Sequence, residues 1–123
     1  MHSLGSSQVD DAGPFRAGIM VVASLGDPRE KFWGTLLALT PSGLSICGLD
    51  LGSFEDSAAL LKSGEGFDPA TVFFPMHRIE RLELDAPSGS IPSLRQRFLE
   101  KSGEDPAKFF WAVASSAASQ GTR

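Results

Sequence analysis

The sequence predicts a mainly β fold: five short, strongly curved strands with peripheral helices, in one domain. Three observations carry this reading. The chain has 123 residues, which suits one domain of roughly 100 to 150 residues and not two. Apolar, β-prone runs alternate with Gly- and Pro-containing turns at short intervals. Gly34 and Gly48 fall inside two of those runs, where a glycine marks a sharp bend or a close backbone approach. With 41% hydrophobic and 21% charged residues, the chain can bury a core and is not disordered in bulk.

Residues 1–15 carry Ser3, Gly5, Ser6, Ser7 and Gly13 with few large apolar groups, too little to offset the entropy of ordering, so a flexible tail is expected. Gly18 to Leu25 is β-branched and apolar and stops at the turn Gly26-Asp27-Pro28, giving a first strand. Lys31 to Thr40 and Leu44 to Leu51 flank Pro41-Ser42-Gly43 and read as a hairpin. Ser53 precedes Phe54-Glu55-Asp56; a hydroxyl at that spacing can accept from free amides at a helix start, and the acids suit its positive end. An inserted helical segment is therefore expected over 53–66, ended by Gly64 and Gly66. Thr71 to Phe74 is a fourth strand cut off by Pro75. The spacing of Ile79, Leu82 and Leu84 changes from three residues to two, which predicts one 3₁₀ turn over Met76 to Ile79 and then a fifth strand.

These strands fill 16–86, and 87–123 reads as a helical extension. Pro92 stands at the start of a helix over Ser93 to Ser102 that Gly103 closes, with Leu94 and Phe98 on one face. Asp105-Pro106 opens a second over Ala107 to Ala118. Phe109, Phe110 and Trp111 are too aromatic for a lone solvated helix, so it packs on the sheet or on a partner. Both faces of the central hairpin are apolar, with Trp33 and Leu37 on one of them, so a second layer is required. Trp33, Phe109, Phe110 and Trp111 are the expected helix-packing or oligomer contacts.

Eleven Lys and Arg against fifteen Asp and Glu leave a formal charge of -4, which disfavours nucleic acid as a partner without a local basic patch. The single cysteine, Cys47, forms no internal disulfide and fits a reducing, cytoplasmic setting. Met1 to Asp11 lacks the basic start and apolar stretch of a secretion signal, and no run approaches the roughly 18 apolar residues of a membrane span.

Five strands in this order, the last two joined by a single tight turn, resemble the small SH3-like barrels and among them the Sm-like proteins. The resemblance rests on Phe32-Trp33-Gly34-Thr35-Leu36-Leu37, on Leu44 to Gly48, and on Phe74-Pro75-Met76-His77-Arg78-Ile79-Glu80-Arg81-Leu82, a stretch similar to one in uncharacterised bacterial barrels of this type. It covers roughly Ala17 to Asp85. It implies a five-stranded barrel, which the segment Gly52 to Pro69 with its inserted helix lengthens after strand three, and rings or other homo-oligomers made by joining the fourth strand of one subunit to the fifth of the next. For many members it implies binding of single-stranded RNA. RNA-binding members carry an acid and an Asn around the second-to-third strand turn and Arg-Gly in the last turn. This chain has Thr40-Pro41-Ser42-Gly43 and Pro75-Met76-His77-Arg78 there.

His77-Arg78 is the sharpest polar constellation. Arg presents a planar fork and His a titratable donor, a pair suited to phosphate or carboxylate; alternatively His77 bonds a carbonyl of the turn and Arg78 pairs with an acid such as Glu80. With Arg81 these form the candidate ligand or partner contact. Asp50, Glu55, Asp56 and Asp68 lack the spacing of a cation loop, and only His2 and His77 could supply imidazole, so no metal is expected. Cys47 alternates within an apolar strand without a basic neighbour and reads as a buried hydrophobe. No nucleophile or phosphate-loop motif is present. The sequence therefore points to a noncatalytic, self-associating binding or assembly module without a cofactor, with a single-stranded RNA-binding ring as the alternative.

Overall fold

A computed structural model describes residues 12–121, with side chains described through residue 116. Of the tail expected over 1–15, residues 1–11 lie outside the described residues. The strands are β1 (Met20–Leu25), β2 (Glu30–Thr40), β3 (Gly43–Asp50), β4 (Ala70–Pro75) and β5 (Ile79–Leu84); the helices are α1 (Phe54–Lys62), α2 (Leu94–Ser102) and α3 (Pro106–Gly121). The fold is thus mainly β with peripheral helices. All strand pairs are antiparallel, in the order β4-β3-β2-β1-β5.

Consecutive strands β4 and β5 lie at opposite margins of this sheet. The ladders therefore give an open five-stranded sheet, coarser than the closed barrel expected. The chain crosses between the margins through a 3₁₀ turn, Met76–Arg78, where the spacing change placed it. Pro75 at φ -62 and ψ 150 ends β4, since its ring holds φ there and leaves no amide to donate. Met76 N then donates to Ser42 O at 2.8 Å, and Gly26 N donates to Arg78 O at 2.9 Å, so each side of the corner is pinned to a different hairpin turn.

Alternation along the strands sends side chains to two cores. Val21, Ala23, Leu25, Phe32, Leu36, Leu44 and Ile46 form the inner one, joined by Val72, Phe74, Ile79 and Leu82. All five strands contribute, which requires a strongly bent sheet. Gly34 pairs with Gly48 across β2 and β3, and a Cβ on either would run into the other strand's backbone. The close approach expected of these glycines is thus present. Phe15, ahead of β1, also packs on the inner core.

The opposite face is the one that needed a second layer, and the three helices supply it. Met20, Trp33, Cys47 and Leu49 meet Phe54 and Ala58 of α1, Phe98 of α2, and Phe110 and Ala114 of α3. Trp33 is the hub, with ring centroids 5.2 Å from Phe54, 5.4 Å from Phe98 and 5.3 Å from Phe110, distances typical of tilted and edge-on aromatic pairs. Of the two roles open to the C-terminal aromatics, packing on the chain's own sheet is the one adopted. Trp33 and Phe110 are fully buried, and Trp111 is 44% exposed.

Two helix starts differ from expectation. Ser53 makes no side-chain cap: a 3₁₀ turn over Leu51–Ser53 runs directly into α1, so the residue never takes the extended backbone that a capping hydroxyl requires. Asp50 caps that turn instead, accepting from Gly52 N at 2.9 Å. For α2 the cap is Ser93, one residue after Pro92. Its hydroxyl accepts from Gln96 N, and the Gln96 side chain accepts from Ser93 N, a reciprocal box that satisfies two orphan amides.

Candidate functional site

The 3₁₀ corner carries two of the three residues singled out from the sequence, and their side chains go different ways. Arg78 is drawn in: its guanidinium pairs with Glu30 of β2, is 15% exposed, and lies 5.8 Å from the Phe74 ring centroid. A half-buried cation stacked on an aromatic and bonded to a carboxylate is a structural clamp between β2 and the corner. The expected type of partner is correct, but the acid is Glu30 and not Glu80. His77 is exposed; among the described residues no hydrogen bond of its side chain to a carbonyl accompanies the turn.

Arg81 lies elsewhere, on the outer face of β5, with Nη2 3.0 Å from Glu83 Oε2; their side chains are 68% and 44% exposed. An ion pair this open to water contributes little. The structure thus does not gather His77, Arg78 and Arg81 at one point. It brings Arg81 to residues sequence reasoning passed over. Lys31 of β2 stands opposite Ser24 of β1, and Ser24 opposite Arg81 of β5, so the three form a row across neighbouring strands. They line a groove of about 400 Å³ with Leu25, Arg29, Glu30 and Glu80. No sequence signal shows this, because the row depends on two strand registers at once.

A second depression of about 360 Å³ lies along α3, lined by Gly18, Ala107, Lys108, Trp111 and Ala112. Trp111 is the aromatic of the C-terminal trio left at the surface, whereas Phe109 and Phe110 are held by Phe67 and the Trp33 hub.

Asp85, immediately after β5, was missed. One carboxylate accepts from the Trp33 indole Nε1 at 3.0 Å and from the backbone amides of Leu94 and Arg95, each at 2.8 Å. It satisfies a buried donor and the first turn of α2 together. Arg95 in turn forms a two-point bond with Asp105, at 3.0 and 2.9 Å. That bond holds the Asp105 carboxyl below the usual carboxylate range and the guanidinium above its own.

Cys47 and two of the acids near the insertion have structural roles. Cys47 is buried, and desolvation pushes its thiol up despite hydrogen bonds involving Thr71 and Ala114, which leaves it protonated and inert at neutral pH. Of the four acids around the insertion, Asp50 caps a turn and Glu55 pairs with Arg97 and Lys101. Among the described residues no cluster of three or more His, Cys, Asp or Glu side chains could hold a metal ion, and no helix is long and apolar enough to cross a membrane.

Fold and surface together define a small, mainly β protein whose helices cover one face of a bent sheet. Comparisons of the chain with protein-family models, curated proteins and solved structures found no match.

Proposed function

We propose that this chain is a noncatalytic binding and assembly module built on a small barrel of the Sm-like or SH3-like kind, which associates with copies of itself through its sheet margins. The observation that carries this reading is the topology: β4 and β5 are both margins, each with one row of backbone groups outside any ladder among the described residues. Thr71 to Phe74 of β4 has no charged residue, and Phe73 is 53% exposed and Met76 of the corner 40%. Native proteins normally blunt such an edge with charge or cover it. The margin at β5 carries Glu80, Arg81 and Glu83 and is better protected. Contact with a further partner or ligand is assigned to His77, exposed at the corner, and to Arg81 on the outer face of β5, with Arg78 acting by fixing the corner.

Light scattering coupled to size-exclusion chromatography tests this. The expected result is a mass that is a multiple of 13.1 kDa, reduced to the single-chain value by Phe73→Lys. A wild-type chain that stays monomeric at high concentration overturns it. A salt-sensitive complex with a short single-stranded RNA, lost on Arg81→Ala, would favour the RNA-binding ring instead.

A further inference from the structure

The groove between the β1–β2 turn and β5 has a composition at odds with the chain as a whole. The protein carries a formal charge of -4, yet the groove is lined by three cations, Arg29, Lys31 and Arg81, against two carboxylates, Glu30 and Glu80. Glu30 is already engaged from behind by Arg78. Arg29 and Lys31 form no ion pair among the described residues, and Arg81 has only its solvent-open pair with Glu83. Ser24, half-buried between Lys31 and Arg81, has a hydroxyl with no hydrogen-bond partner among the described residues. A neutral donor flanked by an ammonium and a guanidinium on a rigid three-strand platform suits a compact, doubly charged oxyanion. Arginine can hold two of its oxygens at once, lysine acts as a point charge, and the hydroxyl takes a third. A cleft of about 400 Å³ has room for a small ligand bearing such a group.

We infer that the groove lined by Ser24, Arg29, Lys31 and Arg81 is a binding site for a phosphate group carried by a small molecule. The site deepens the reading of Arg81 as a ligand contact and does not depend on self-association. Glu83 competes with the anion for Arg81, and Glu80 repels it, so removing either charge strengthens binding.

The test is a titration of the isotopically labelled full chain with inorganic phosphate at constant ionic strength, followed by amide chemical shifts, with light scattering on the same samples. Saturable shifts centred on Ser24, Lys31 and Arg81 are expected. Lys31→Gln with Arg81→Gln should weaken the apparent affinity at least tenfold, while Glu83→Gln tightens it about two- to fivefold, the scale of an exposed ion pair. The tightening is a gain that a purely structural role for these residues would not produce. Shifts that do not saturate, that acetate reproduces at equal concentration, or that persist in the double variant overturn the site. A monomer that still saturates with phosphate removes the assembly reading and leaves the groove standing; an oligomer that ignores phosphate does the reverse.

Discussion

Asp85 does at one residue what a capping box and a buried hydrogen bond do separately elsewhere. Asp85→Ala strands the Trp33 indole in the aromatic core and frees two amides of α2. At about 1 kcal/mol for each of the three lost bonds, a loss of about 3 kcal/mol in denaturant-unfolding free energy is expected. Gly48→Ala is expected to cost a similar amount, at the upper end of overpacking, because the added methyl meets the Trp33 and Gly34 backbone and neither strand can yield. Asp105 gives a pH signature. Its carboxyl is held below its ordinary value by Arg95, so its contribution is present above the unfolded carboxylate range and is lost as pH falls through the lower folded value. Asp105→Asn should therefore lower the melting temperature at neutral pH, with the gap from wild type closing below about pH 4. These side-chain partners were the least legible part of the sequence. Arg78 was expected to find an acid, but Glu30 is 48 positions away, and Asp85 is 52 from Trp33. Only strand register brings them together, although a buried indole always needs an acceptor.

At the scale of elements the sequence is far more readable, because turns and breaks are local chemistry. Gly26-Asp27-Pro28, Pro41-Ser42-Gly43 and Pro75 punctuate the strands, and the strand bounds follow. The Ser53 cap failed because a preceding 3₁₀ turn, set by Asp50, pre-empts it. The charge row of the groove could not be read at all, since β1 must pair with β5, its most distant strand in sequence, before Ser24 and Arg81 meet. Within α3, neighbouring aromatics have opposite fates. Phe110→Ala should cost about 3–5 kcal/mol, as for a buried phenylalanine, and shift Trp33 emission to longer wavelength by admitting water. Trp111→Ala, at a half-open position, should change stability by no more than about 0.5 kcal/mol. Equilibrium denaturation followed by fluorescence separates the two. Equal losses would mean that α3 sits on the sheet in a different rotation.

Taken whole, the molecule has two apolar cores that share one sheet. Phe32 and Trp33 are adjacent in β2 yet enter opposite cores, so neither core can dissolve while the strand between them stays fixed. Unfolding is therefore expected to be a single transition: Leu36→Ala in the inner core and Phe98→Ala in the outer one should each shift the fluorescence and circular dichroism curves together. Separate midpoints would show that the helical layer detaches on its own. The corner at Met76–Arg78 has the opposite character. β4 and β5 are successive in the chain, but each is zipped to a different neighbour, β3 and β1. A single backbone cut within that turn would break no rung of the sheet, so the two fragments should stay associated, and the point of continuity between the margins is a site where the chain could be opened, or lengthened, without dismantling what lies on either side.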